Sequence, residues 1–131
     1  MAITITAAAA DSMGDALATA IGSAATIQIR SGSKPATPET IVSGTLLATV
    51  AISGSFTSTG GVLTSADPAA VTIAATGTAG YFRLLTSGAT AILDGTVTAT
   101  SGGGDMELAT VALSSGASLD LGVPSITVPV A

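Results

Sequence analysis

Tyr81-Phe82-Arg83-Leu84-Leu85-Thr86-Ser87-Gly88-Ala89-Thr90-Ala91-Ile92-Leu93-Asp94-Gly95-Thr96-Val97-Thr98 is the stretch that decides the fold. Phe82 and Leu84 alternate with Tyr81, Arg83 and Leu85, a period of two that sends successive side chains to opposite faces of a strand. Ser87-Gly88 then reads as a tight hairpin loop between two strands. Asp94-Gly95 lies inside a strand-like run, where it is expected as a bulge rather than a turn. Phe82 is the expected core aromatic of this segment. Arg83 is the one charge in its most apolar part, and two readings of it stay open. It is either an interface anchor, as Tyr and Arg often are, or the cross-strand partner of Asp94 over the hairpin.

The same period extends outward in both directions. Ile27 and Ile29 alternate with Gln28 and Arg30, and Leu46, Ala48, Val50 and Ile52 alternate with Leu47, Thr49, Ala51 and Ser53. Leu119, Leu121 and Val123 continue the pattern, as do Ile126, Val128 and Val130. Ser53-Gly54, Gly60-Gly61, Asp67-Pro68 and residues 101–104 mark turns, and Pro35 and Pro38 bracket one longer loop over residues 31–44. These spacings predict an all-β chain, an antiparallel β-sandwich or jelly roll of about eight short strands.

One short N-terminal helix is predicted over residues 11–22. Met13, Leu17, Ala20 and Ile21 form its apolar stripe, Ser12 caps it, Asp15 lies near its positive end, and Gly22 ends it. Gly14 and the β-branched neighbours weaken and shorten it. Residues 1–10, apolar and sparsely charged, are expected as an extended arm able to add a strand to a neighbour. Residues 1–131 read as one domain, since the composition is nearly uniform.

Composition narrows the function. The chain has no His, no Cys and no Trp, and only 8% of its residues are charged. Most catalytic strategies draw on His, Cys, Lys or clustered carboxylates, so the chain is expected not to be an enzyme, and no cofactor is implied. A net charge of −5, with three scattered cations, argues against nucleic acid. No apolar run reaches the length of a membrane span, and the first residues lack the basic region of a secretory signal, which points to synthesis in the cytoplasm. Although 47% of residues are hydrophobic, much of this is Ala, and Phe56, Tyr81 and Phe82 are the only aromatics. Small side chains bury little area each, so a homo-oligomer, dimer or trimer, or a partner is expected to supply further burial.

Few constellations remain. Asp105 and Glu107 stand at i, i+2, on one face of a strand. They would fit a calcium site if Asp94 or Asp120 came near, but a solvated strand edge carrying protective charge is the stronger reading, and no metal site is assigned. Ser101-Gly102-Gly103-Gly104 has no following Lys and reads as a flexible loop rather than a phosphate cradle. Paired carboxylates over a sugar cleft are a remote option, given how few aromatics there are. Thr96, Thr98 and Thr100 place three hydroxyls on one strand face; without a fixed-period repeat they read as an exposed face rather than an ice-binding array.

Several short stretches, taken in order, resemble a family of small virion proteins encoded among the head genes of tailed bacteriophages. They are Ile29-Arg30-Ser31-Gly32-Ser33-Lys34-Pro35-Ala36, Thr45-Leu46-Leu47-Ala48, Gly60-Gly61-Val62-Leu63-Thr64, Gly77-Thr78-Ala79-Gly80-Tyr81-Phe82-Arg83, Leu93-Asp94-Gly95-Thr96-Val97 and Asp105-Met106-Glu107-Leu108. The resemblance covers most of residues 25–130. It implies a capsid decoration or cement protein on the exterior of the virion head, bridging subunits of the major capsid protein, and it brings no catalytic residues. A tail or head-fibre component is the alternative within virions, and a surface adhesin or glycan-binding module is the alternative from another class. The candidate interface residues are Met1, Ile3 and Ile5 of the arm, with Tyr81 and Arg83 of the apolar strand.

Overall fold

A computed structural model describes residues 3–127; Met1 and the expected strand positions Val128 and Val130 lie outside the described residues. The chain is mostly strand with one short helix. After the helix α1 (Ala7–Ile21) come β1 (Thr26–Ser31), β2 (Leu46–Ala51), β3 (Thr57–Thr59), β4 (Val62–Thr64), β5 (Val71–Thr72) and β6 (Gly77–Leu85). β7 (Ala91–Ala99), β8 (Met106–Leu108), β9 (Ala112–Leu113), β10 (Ser118–Leu119) and β11 (Ser125–Thr127) complete the order. Among the described residues there are thus eleven strands where about eight were expected, because short edge pairings of two or three residues break what the alternation alone reads as longer runs.

The principal sheet has the order β2-β1-β6-β7-β8, with β9 joined to the start of β6. β5 pairs with β10, and a three-stranded sheet runs β11-β4-β3. The pairings are antiparallel except one: β8 runs parallel to β7, with Val97 beside Met106 and Ala99 beside Leu108. This departs from a purely antiparallel fold.

The hairpin at Ser87-Gly88 forms as the sequence predicts, closed by bonds from Thr86 N to Thr90 O and from Ala89 N to Thr86 O. The bulge lies elsewhere. Arg83 pairs with Asp94 and Phe82 with Gly95 in regular register, and the extra residue is Ile92, between the Leu84–Leu93 and Leu85–Ala91 pairs. Further shifts insert Leu47 in β2 and Gly80 in β6. Each bulge bends and twists its strand, which curls the sheet. The bulge at Leu47 also explains why Leu47 and Ala48 are both buried, though adjacent residues of a regular strand face opposite ways.

The core gathers Ile27 and Ile29 of β1, Val50 and Ile52 around β2, Leu84 of β6, Leu63 of β4 and Ile21 of the helix. Phe82 is only partly buried at its edge, while Tyr81 is fully enclosed on the opposite face of the strand. The expectation for Phe82 is therefore corrected: alternation finds the two faces of β6 but does not show that both are covered.

The helix begins earlier than predicted. Thr6 is its cap, accepting a bond from Ala9 N at 3.1 Å, and Gly22 closes it with its N–H on Ala18 O. Ser12 instead lies inside the helix, where its hydroxyl donates back to Ala8 O. Residues 7–10 are thus helix and not arm. The buried stripe is Ala10, Gly14 and Ile21, not one that includes Met13, which is 51% exposed.

Small residues win this face because α1 sits directly on β3 and β4. A methyl at Gly14 would run into the Ser58 side chain and stand 3.1 Å from Leu63 Cδ1. Gly14→Ala should therefore destabilise the protein by about 1 kcal/mol or more through overpacking, overriding the gain of roughly 1 kcal/mol that the change brings at an open helix position. Urea denaturation measures it; a stabilised variant would show that the helix does not seat this closely.

Candidate interaction surface

The outer face of the β6–β7 hairpin carries Tyr81, Arg83 and Asp94. The paired register puts Arg83 opposite Asp94. The guanidinium meets the carboxylate with two parallel bonds, Nε to Oδ1 at 2.6 Å and Nη2 to Oδ2 at 2.7 Å. The side chains are 5% and 1% exposed, so the pair is dry. The third arm of the fork, Nη1, donates to the backbone carbonyl of Thr40 at 2.9 Å. Tyr81 acts beside it: its hydroxyl donates to Ser43 O at 2.7 Å and accepts from Ser43 N at 3.1 Å.

Thr40 and Ser43 belong to the long connection between β1 and β2, residues 32–45. These bonds draw it back as a strap across the outer face of the sheet. Its base is closed by Ser31 N on Thr45 O and by Thr45 N on the Ser31 hydroxyl. Close crossing requires the absence of side chains at two points. A Cβ at Gly80 would collide with the carbonyl of Gly32, and one at Gly44 with the carbonyl of Ser31. The strap is tied to the sheet through the backbone of Thr40 and Ser43, and between these two ties its apolar side chains face outward: Ile41 is 87% exposed, and Val42 beside it is exposed.

The hydrogen bond that Arg83 donates to Asp94 raises its pKa above an already high ordinary value; burial opposes this, and electrostatic attraction to Asp94, Tyr81 and Glu39 adds to it. A cation whose folded pKa is raised contributes stability that is fully present below its unfolded pKa and lost as pH rises through the folded one. Here that loss falls in the strongly alkaline range.

The structure places the sequence-predicted residues unevenly. Ile3 is 65% exposed and precedes the helix, Ile5 is half-buried, and Met1 is outside the described residues. Tyr81 and Arg83 are brought together, but enclosed by the chain itself with their polar atoms occupied; of the two readings of Arg83, the pairing with Asp94 is the one observed. The acids do not gather: Asp94 faces Arg83, Asp105 accepts from Thr96, Asp120 accepts from Gly122 N, and Glu107 is exposed on β8. Among the described residues no three potential ligands converge on a metal position. No helix there is long and apolar enough to cross a membrane.

The threonine array has a use that its exposure pattern does not suggest. Thr96 donates to Asp105 Oδ2 through both its N–H (2.9 Å) and its hydroxyl (3.0 Å), and its hydroxyl accepts from Asp105 N. Thr98 accepts from Gly104 N at 3.0 Å, and Thr100 donates to Leu108 O at 3.3 Å. The hydroxyls fold the glycine-rich loop back along its own strand, which lets β8 lie parallel to β7 after so short a connection. Sequence reasoning missed this use and the strap; the bracketing prolines were the one signal of the latter.

Asp94→Ala strands a buried guanidinium and should cost roughly 3–5 kcal/mol, whereas Arg83→Met with Asp94→Leu should recover most of that loss, because an apolar pair of similar volume leaves no charge uncompensated. Chemical denaturation of the three proteins tests it; a double variant no better than the single would show that the pair is not isolated from water. With no His and no Cys in the chain, and Arg83 titrating only in strong alkali, the denaturation midpoint should be flat between about pH 6 and 9. A steady slope across that window would contradict this.

The chain matches no protein-family model, no curated protein and no solved structure.

Proposed function

We propose that this protein is a non-enzymatic structural component of a tailed-phage virion, a decoration protein that cements neighbouring major capsid subunits from outside the head. In this reading the sheets are arranged as a sandwich or jelly roll, and the protein acts as a homo-oligomer. The observation that carries the reading is the strap. It is held to the sheet through an ion pair and a tyrosine, and it offers Ile41 and Val42 to the outside on a short segment braced at both ends. A braced apolar contact loses little conformational freedom on binding, which suits a protein whose work is done by its surfaces.

Several of the stretches that resemble the virion family contribute to this device, although Thr40, Ile41, Val42 and Ser43 themselves lie outside them. Residues 29–36 run from β1 into the strap, residues 77–83 bring Tyr81 and Arg83, and residues 93–97 bring Asp94. The acidic charge suits the outside of a DNA-filled shell, whose interior would repel it. A core of small residues suits a protein stabilised further by assembly, since binding only the folded state raises apparent stability by mass action.

Particles lacking the protein should be less resistant to heat and osmotic shock than complete ones, and equal resistance would end the cementing role. Ile41→Asp alters an exposed side chain and leaves the isolated protein as stable as before, while lowering its occupancy on particles severalfold. Occupancy is read by quantitative gel densitometry after sedimentation, which also gives the copy number. A scarce protein would point to a tail component instead.

A further inference from the structure

The inner faces of β6 and β7 end at an open trough. Phe82, Leu84 and Leu93 form its floor with Phe56, and residues 121–126 form the opposite wall around a space of about 200 Å³. A neighbouring depression of about 330 Å³ shares Phe82, Leu93, Asp105, Ser125 and Ile126 with the first, so the two are one trough. It runs beside β11, which among the described residues is the end strand of its sheet and pairs only with β4. Ser125, Ile126 and Thr127 all line the trough although their side chains alternate in direction, and no residue of β4 does, which sets it beside the edge of β11 away from β4. A strand edge directs N–H and C=O groups sideways, to where the next strand would lie about 4.8 Å away.

The rim is anionic. Asp105 and Glu107 line the trough and are both exposed, and neither forms an ion pair among the described residues. No cation lines it: Arg83 is committed to Asp94, Arg30 binds Gln28, and Lys34 lies on the strap. An apolar floor, an open strand edge and two carboxylates specify one kind of occupant.

We propose that this trough binds an extended segment of a partner protein, alternating apolar and polar residues and carrying a Lys or Arg. The segment adds a strand to β11, sets its apolar side chains on Phe82, Leu93 and Ile126, and brings its basic group to Asp105 and Glu107. Backbone bonds supply the affinity, the apolar floor selects one face of the segment, and the carboxylates set its register and speed the encounter. The inference does not rest on the virion reading, because it requires only a partner with such a segment.

Panning a displayed random heptapeptide library against the whole protein should enrich alternating β-branched sequences with a basic residue. The best peptide, fluorescein-labelled, is then titrated by fluorescence polarisation. Glu107→Lys reverses an exposed rim charge and should weaken binding about fivefold or more with an unchanged melting temperature, and replacing the peptide's basic residue by Glu should do the same to the wild type. In ¹H–¹⁵N spectra the perturbed amides should cluster on β11. Failure to enrich any peptide, enrichment of acidic or uncharged ones, or binding indifferent to Glu107→Lys would overturn the proposal. So would tighter binding after removal of residues 128–131, which would make the chain's own end the occupant. A dimer dissociated by the peptide would make the occupant a second copy and would overturn it too.

Discussion

The contact between Arg83 and Asp94 is the constraint on which the two covered faces of the main sheet depend. A buried ion pair is a poor source of net stability, because the desolvation of two charges offsets their attraction. Its value here is geometric. A bidentate fork accepts one relative placement of the two strands, and the remaining donor reaches Thr40 O at 2.9 Å, so the same guanidinium that fixes the hairpin register also fixes the strap. Tyr81 repeats the logic two residues earlier on the same face, bonding both backbone groups of Ser43.

Such a device suits this composition. A chain with so few aromatics cannot hold a long loop by burying large side chains in it, since each Ala or Val contributes little apolar area. It draws backbone onto backbone instead. The strap crosses β6 where Gly80 leaves room for the Gly32 carbonyl, and the helix sits on β3 where Gly14 leaves room for Ser58. Close approach shortens the reach of hydrogen bonds and lets short polar side chains serve as ties, as the three threonines of β7 do for the glycine-rich loop.

The legible and illegible parts of the sequence divide along this line. Period-two alternation locates β1, β2 and the β6–β7 hairpin because large and polar side chains take turns there, and the charge pair follows from the position of the turn. The helix start is missed because Ala7 to Ala10 carry no amphipathic contrast and the buried contact is a methyl and a missing side chain. Met13 outweighs both on any hydropathy scale, yet it faces outward. The strap is missed for a different reason: Tyr81 and Ser43 are 38 residues apart, and nothing local to residues 32–45 records that the loop returns. Threonine is ambiguous in the same sense, since an exposed hydroxyl and one that ties a loop look alike in sequence.

The alternation of β6 and β7 also joins the two surfaces that face outward from this molecule. Tyr81, Arg83 and Asp94 point to the strap, while Phe82, Leu84 and Leu93 point to the trough on the other side of the same two strands. A slip of one residue would exchange the faces, carrying a guanidinium into the apolar trough and a phenyl ring under the strap. Neither placement is tolerable: the first leaves a charge without its carboxylate, and the second leaves the buried Asp94 carboxylate without its guanidinium. The hairpin loop alone leaves register open to the insertion that already occurs at Ile92. The ion pair, sitting beyond that bulge, re-establishes which side chains face which way, and so one electrostatic contact keeps both outward surfaces in place.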